Sequence, residues 1–574
     1  NAANVDLNVG GDDKTNNILK CVEYSHSNLS PQAQKLLVCL APFNGFIFRD
    51  ALEDYSQQLS QREPFRDYDF SQFDAAIQEA IQWGLLSGIN IDGSPLPSLE
   101  KGRERLLTIQ PIFPYFLRTK LHTLDAATRN ALYDGFKAHY QGLAVSYQQL
   151  MQSKDSSQQQ LGLLFSRLEY ENIYAALRLS LEHQEEIFML FSTCLNTYLE
   201  RKGDKTEKFK LAEWIYSKLE RYSSEKRTPN LDLQILGVLD LIALGYLESQ
   251  QYPKARETYD KTLNLISNLS KFPEVIKNLS LASTYHQLGI VAQALREYKQ
   301  ARQHYQQALD IKIQFGETAD ADGSTSRYGQ ACTYHQLGNV TYLLREYEQA
   351  RSHYQQALDI KIQFGDHYSQ ACTCHQLGVV AQAMQEYRQA KQHYQQALDI
   401  YIEFGDRYKQ AGFYHNLGAA AQALREYEQA QDYHQQALDI YIEFGDRYGQ
   451  ARPYQSLGMV AQELGEYEQA RSHYQQALDI KIEFGDRYRR AGNYGQLGLL
   501  AVAQQDYDQA QQNLQQALTI FVEFNDQHST EITLRNLARL YQTTQDDRLL
   551  TPVAQCLGTT PAEVQQRFAV AASE

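Results

Sequence analysis

The stretch ACTYHQLGNVTYLLREYEQARSHYQQALDIKIQFGDH, Ala331 to His367, returns in recognisable form from Ala371, Ala411, Ala451 and Ala491. The glycine of its Leu-Gly pair recurs as Gly338, Gly378, Gly418, Gly458 and Gly498, each 40 residues after the last. Self-similarity at such a period signals a solenoid or array. Within one unit Ala350, Tyr354 and Ala357 step by four and three residues and so share a helical face. Gly338 and Ala350 are small where two helices must approach closely. A glycine inside a helix costs about 1 kcal/mol relative to alanine, so its return in every unit predicts a packing requirement. Between units, FGDR or FGDH predicts a left-handed Gly cap followed by an Asp N-cap.

This pattern resembles the tetratricopeptide repeat (TPR), in a 40-residue form with an extended second helix. It covers about Leu281 to Phe524 in six copies, with a weaker copy at Leu233 to Asn268 where Ala243, Tyr252, Ala255 and Tyr259 keep the offsets. The step from Gly289 to Gly338 is 49, which places a nine-residue insertion within ETADADGSTSR, expected as an exposed loop. After Phe524 the pattern decays, and Glu531 to Gln542 with TPAEVQQRF is expected to form the polar-faced cap a solenoid needs.

Upstream, SPQAQKLLVCLAPF and FDAAIQEAIQWGLL read as amphipathic helices, and GINIDGSPLPSLEKGRERLLTIQ alternates like a β-hairpin. Helix, helix, hairpin is a winged-helix pattern. The periodicity from Asp125 to Ser223 is again helical. Together with the repeats, Leu40-Ala41-Pro42-Phe43, Trp83-Gly84-Leu85-Leu86, Ile109-Gln110-Pro111-Ile112-Phe113 and Glu171-Asn172-Ile173-Tyr174-Ala175-Ala176-Leu177 resemble the C-terminal half of STAND-class (NB-ARC-type) signal-transduction ATPases. The expected fold is all-α: a right-handed superhelical TPR solenoid preceded by a winged-helix module with a small β-hairpin and by a helical linker. The expected segments are a tail at 1–20, the winged-helix-like domain at 21–124, the linker at 125–225, the solenoid at 226–526 and capping helices at 527–574.

With 574 residues, 43% hydrophobic and 21% charged, the chain exceeds one ordinary core and reads as several packed units. No segment approaches the roughly 18 to 20 uncharged apolar residues of a membrane span, and the N-terminus lacks a signal-peptide pattern. The expectation is a soluble, cytoplasmic chain. The absence of an initiator Met suggests a piece of something longer. A net charge of -15 opposes a broad phosphate-backbone interface. Seven scattered cysteines fit free thiols in a reducing compartment.

A STAND protein needs GxxxxGK[ST] to hold ATP. GGDDKT (Gly10 to Thr15) and KGDKT (Lys202 to Thr206) lack the Gly-Lys-Thr adjacency, so ATP or ADP with Mg is expected only on an upstream module. In several relatives a winged-helix histidine contacts the bound diphosphate. Gln110 holds the matching position here, able to donate a hydrogen bond but not to carry charge. Winged helices also bind DNA, yet Asp67 to Glu100 contains no Lys, Arg or His. Asp320, Asp322 and Gly323 match part of a calcium loop, but Thr318 and Gly329 stand where carboxylates are required. Without a catalytic motif, this chain is not expected to be an enzyme.

The resemblance also implies which first-helix positions face a ligand. One after the aromatic, or after its replacement Cys374, gives His286, His335, His375 and His415, then Gln455 and Gly495. Eight after gives Gln293, Tyr342, Gln382, Gln422, Gln462 and Val502, and two before includes Arg452. A His ladder beside a Gln ladder suits an extended peptide or protein edge, and histidines near pKa 6.5 would make binding pH-sensitive; repeat duplication alone would also produce such rows. They do not match the TPR dicarboxylate clamp. In ACTCHQLG, Cys372 and His375 supply only two metal ligands, so no metal is expected, with Cys374 facing the core and His375 the groove.

The function this implies is the sensor and autoinhibitory region of a bacterial STAND ATPase, in antiphage defence or other signalling. A protein or peptide ligand in the TPR groove would control the upstream nucleotide-binding module and its homo-oligomerisation, with no nucleic acid or membrane partner. The alternatives are a free-standing TPR scaffold and a winged-helix transcription regulator.

Overall fold

The computed structural model describes residues 13–89, 106–269, 273–319 and 324–571. The chain divides into two compact units, Asn1–Pro273 and Glu274–Glu574, so the weak first repeat clusters with the N-terminal unit.

The N-terminal unit begins with α1 (Asp13–Ser27), α2 (Pro31–Leu37), β1 (Phe46–Phe48), α3 (Arg49–Ser60), α4 (Phe73–Gln82), β2 (Leu86–Ile89), β3 (Leu106–Ile109) and α5 (Phe113–His122). The strands form one antiparallel sheet in the order β1-β3-β2, with Phe46 opposite Thr108 and Leu86 opposite Ile109. The expected helix starting at Phe73 ends earlier than read. Gly84 takes φ +70°, which breaks the helix, and Leu85-Leu86 turn into the sheet. The hairpin's turn, 90–105, lies outside the described residues. Ser30 caps α2 by accepting from Ala33 N, while Glu79 of α4 accepts from both Ser30 N and Ser30 Oγ at 2.8 Å. Leu36, Leu40, Phe43, Tyr55, Ile77, Leu107 and Phe113 are buried in one core.

The segment expected as a linker consists of α6 (Ala126–Gln152), α7 (Ser156–Leu168), α8 (Tyr170–Glu182), α9 (Phe188–Lys202) and α10 (Lys205–Leu219), followed by α11 (Pro229–Glu248) and α12 (Tyr252–Ser267). Its Glu169 and Asn172 clamp β1. Asn44 N donates to Asn172 Oδ1 at 2.6 Å, Asn172 Nδ2 donates to Phe46 O at 2.6 Å, and Phe48 N donates to Glu169 Oε1 at 3.3 Å. Two side chains thus satisfy the outer edge of a short strand that would otherwise expose unpaired backbone. Among the described residues, α11 is the one helix long and apolar enough to cross a membrane by length and composition. It nevertheless contains Asp232 and Asp240, and its Leu231, Ile235, Leu239 and Ile242 are buried in the unit's core.

The second unit is tandem helix pairs. The first helices are α13 (Glu274–Ala294), α15 (Ser324–Leu343), α17 (His367–Ala383), α19 (Arg407–Ala423), α21 (Ala451–Glu463) and α23 (Arg487–Ala503). Their partners are α14 (Tyr298–Ala319), α16 (Tyr347–Gln363), α18 (Tyr387–Glu403), α20 (Tyr427–Glu443), α22 (Tyr467–Glu483) and α24 (Tyr507–Glu523). A cap of α25 (Gln527–Thr544), α26 (Leu550–Leu557) and α27 (Pro561–Ala571) follows, closed by Leu537, Val553, Val564 and Phe568. The insertion after α14 is not chiefly loop: α14 runs to Ala319 and α15 starts at Ser324. Asp320, Asp322 and Gly323 lie outside the described residues.

The Leu-Gly glycines Gly289, Gly338, Gly378, Gly418 and Gly458 each meet a ring of the partner helix, whereas Gly498 meets Leu514. A Cβ at Gly338 would stand 2.6 Å from Tyr354 Cε1, and one at Gly378 2.5 Å from Tyr394 Cε1. Between units Gly365, Gly405, Gly445 and Gly485 take φ of 64° to 70°; Asp366, Asp406 and Asp486 each accept a backbone N–H as N-caps, whereas Asp446 accepts Gly449 N in a turn that precedes α21. The same corners are stapled repeat to repeat. Tyr408, Tyr448 and Tyr488 donate to Asp446, Asp486 and Asp526 at 2.6 to 2.8 Å. Beside them runs an exposed apolar edge of Phe364, Phe404, Phe444 and Phe484.

The first-helix face and its two clefts

The histidines of the first helices are built into the contacts between successive repeats. Thr333 Oγ1 lies 3.2 Å from His286 Nδ1 and Thr373 Oγ1 3.4 Å from His335 Nδ1. Each threonine also receives a lysine of the intervening second helix, Lys312 or Lys361, at 2.8 Å. Since the threonine hydroxyls donate to the Gly329 and Ser369 carbonyls at 3.0 Å, the imidazoles serve as the donors in these contacts. His375 Nε2 meets Asn416 Nδ2 at 3.0 Å, and its ring packs on Tyr394 and Phe413. His415 is buried, 5.0 Å from the His434 ring. At the next step Lys481 Nζ donates to Gln455 Oε1 at 2.8 Å and to Asn493 Oδ1.

This placement corrects the expected pH sensitivity. Burial, with Lys312 and Lys361 nearby, pushes His286 and His335 down to about 4, and burial lowers His375 as well. Neutral imidazoles persist through the physiological range, so the ladder does not titrate there. Burial pushes Lys481 down to about 8.

The glutamines are also engaged. Gln293, Gln382 and Gln462 accept from the hydroxyls of Tyr305, Tyr394 and Tyr474 at 3.1, 2.9 and 3.1 Å. Gln422 has no such hydroxyl in its repeat, because His434 takes the tyrosine's place. Tyr342 packs at a tilt against Tyr347, 5.6 Å between ring centres. Sequence spacing did not signal these bonds, since a ligand-facing and a helix-bridging glutamine follow the same period.

The face nevertheless holds two clefts. One, of about 470 Å³, is lined by Tyr342, His375, Gln382, Tyr394, Asn416 and Arg452. It brings together four residues selected from the sequence. The other, of about 560 Å³, is lined by Tyr441, Tyr448, Arg452, Lys481, Tyr488 and Phe521, among others. Both volumes suit a bound side chain or small group. Sequence analysis selected Arg452 but missed the aromatic wall of the second cleft, which comes largely from second helices and corner tyrosines.

Elsewhere, Gln110 is exposed just after β3, and its amide nitrogen reaches Ser87 Oγ of β2 at 3.5 Å. Cys374 is 4% exposed and sits in the core with Tyr354 and Tyr394. Cys372 is exposed, its sulfur 3.5 Å from Tyr401 OH. Among the described residues, Asp134, His183 and Glu185 form the one group with metal-like spacing. Lys137 Nζ already occupies its centre, 3.0 Å from Asp134 Oδ1, 3.3 Å from His183 Nδ1 and 2.6 Å from Glu185 Oε2. A buried ammonium there does the work a cation would do.

The repeat geometry agrees with the sequence model of the tetratricopeptide repeat, which matches residues 234–314, 329–403, 410–483 and 489–548, half of the chain. The chain belongs to the tetratricopeptide repeat family, whose fold mediates protein–protein interaction. No curated protein matches it in sequence. Among solved structures, it is similar to a STAND protein with a tetratricopeptide repeat sensor from Pyrococcus horikoshii, at 13% identity and a TM-score of 0.43, covering 97% of this chain and 68% of that one. It is also similar to BtubC (BKLC) from P. vanneervenii, at 19% identity and a TM-score of 0.36, covering 42% of this chain and 92% of that one. Aspartyl phosphate phosphatase F from Bacillus subtilis matches at 14% identity and a TM-score of 0.41, covering 65% of this chain and 92% of that one.

Proposed function

We propose that the chain is the ligand-sensing and autoinhibitory part of a cytoplasmic STAND ATPase, with a protein or peptide captured on the first-helix face of the repeats. The observation that carries this reading is the order of modules. The elements α2-β1-α3-α4-β2-β3, with a sheet ordered β1-β3-β2, suit a winged helix; α6 to α10 and then the repeats follow it in one chain. The Glu169–Asn172 clamp on β1 supports a mechanical link, because a displacement of α8 acts directly on the sheet. In this account the ligand favours an open, oligomerising state only by binding it more tightly than the closed one. The nucleotide, with Mg, is held by an upstream module, and Gln110 at the end of β3 is the residue offered to it.

The test is the full reading frame that contains this chain. A phosphate-binding loop within roughly 300 residues upstream, and ATP hydrolysis by the whole protein that rises when the partner is added, are expected. A complete gene without that loop would contradict the sensor reading and leave the free-standing scaffold.

A further inference from the structure

The two clefts meet at Arg452, which lines both. Its guanidinium is exposed and makes no hydrogen bond or ion pair among the described residues. The other cations of the second cleft are engaged: Lys481 is held by Gln455 at 2.8 Å, and Arg489 pairs with Asp486 at 3.3 Å. Among the described residues no Asp or Glu lines either cleft, although the chain carries a net charge of -15.

The positions equivalent to Arg452 in the neighbouring repeats are Gly412 and Gly492. A Cβ at either would meet nothing within 4 Å, so both are open space. The second cleft has its own origin in the sequence. Helix α21 starts at Ala451, whereas α19 and α23 start four positions earlier in the repeat, at Arg407 and Arg487. Pro453 has no N–H to give the Gly449 carbonyl, so the first turn is lost and the space beside Tyr448 opens.

Resting on the reading that this face captures a peptide, we infer that Arg452 anchors an acidic side chain of an extended partner segment, with apolar or aromatic side chains of that segment over Gly412 and Gly492. First helices of adjacent repeats lie roughly 10 Å apart, and a segment in the extended polyproline II conformation rises about 3.1 Å per residue with about three residues per turn, so side chains three apart share a face. The matching ligand therefore carries its apolar side chains about three residues to either side of the acid. Tyr441, Tyr488 and Phe521 supply the wall for the one on the Gly492 side. A carboxylate suits a single planar guanidinium, which it can engage through two parallel hydrogen bonds.

The experiment uses the whole chain and two fluorescein-labelled probes, Phe-Ser-Ser-Asp-Ser-Ser-Phe and the same peptide with Asn for Asp, followed by fluorescence polarisation at low salt. The Asp probe should bind at least tenfold tighter than the Asn probe. Arg452→Ala should erase that difference, Arg452→Lys should keep part of it, and Gly492→Leu should weaken the Asp probe at least fivefold with helicity unchanged. Excess N-acetylphenylalanine should fail to displace the probe. Equal binding of both probes, no binding of either, an unchanged preference in Arg452→Ala, or displacement by the small acid would each overturn the proposal. Hydrogen exchange with the natural partner separates the two levels. Protection of the first helices that survives Arg452→Ala leaves the ligand face standing without the acidic anchor, whereas protection confined to the second helices removes both.

Discussion

The ring of Tyr354 lies against Gly338 so closely that a Cβ added there would stand 2.6 Å from its Cε1. Gly338→Ala should therefore cost about 2 to 3 kcal/mol, as overpacking of a rigid contact does. Gly412 is also helical but faces open space, and Gly412→Ala should stabilise by about 0.5 to 1 kcal/mol. Urea melts of the two variants check the opposite signs.

His434 is fully buried, and neither ring nitrogen has a partner. Its equivalents Tyr394 and Tyr474 donate to Gln382 and Gln462, and Gly418 leaves room for a ring. His434→Tyr should give Gln422 the missing donor and raise stability by about 1 to 2 kcal/mol in chemical denaturation.

Burial, with cations nearby, holds His286, His335 and His434 at about 4. The unfolded chain, with histidines near 6.5, takes up these protons first, so their contribution is intact above pH 6.5 and is lost as pH falls towards 4. Melting temperature should drop steeply between pH 6.5 and 4, and less steeply in His434→Tyr. A flat profile over that window would contradict the burial of these rings.

First helices end on left-handed residues that are mostly not glycine: Arg345 at φ 63°, Gln385 at 64° and Arg425 at 61°, with Gly465 in the same place at 79°. A side chain in that conformation costs about 1 kcal/mol or more. Arg425→Gly should gain about 0.5 to 1 kcal/mol in a urea melt, because part of the relief is offset by chain entropy.

In the N-terminal unit Glu169 is 1% exposed and receives Tyr140 OH at 2.7 Å, Asn172 Nδ2 at 2.5 Å and Phe48 N at 3.3 Å. Desolvation outweighs these donors and pushes its carboxyl up to about 7. The native state thus holds this proton more tightly than the unfolded chain. The unit should lose stability as pH rises from about 4.5 to 7, opposite in sign to the histidine effect. Glu169→Ala, which strands three donors, should cost about 3 kcal/mol or more in thermal unfolding of this unit.

Much of the repeat unit was legible because few residues impose it: Leu-Gly for the ring contact, FGD for the corner and Ala-Tyr-Ala for the second-helix face. The N-terminal module was legible only in outline. Phe46 to Phe48 is too short for an alternation to register, and α3 is polar enough to pass for a connection. The insertion after Gly316 misled because its Asp and Gly residues favour loops, yet the helices on both sides lengthen into it. On the first-helix face, spacing found the side chains but not their engagements. His335 and Gln382 sit where a ligand-facing residue would, yet each is bonded across to a neighbouring helix, whereas Arg452 is not.

The place where a natural partner binds decides between the first-helix face and the rest of the repeat surface. Hydrogen–deuterium exchange of the chain with and without that partner should show slowed exchange in α17, α19, α21 and α23, centred on Tyr448 to Gln455. Protection confined to the second helices, or to the exposed edge of Phe364, Phe404, Phe444 and Phe484, with the first helices unchanged, would contradict it.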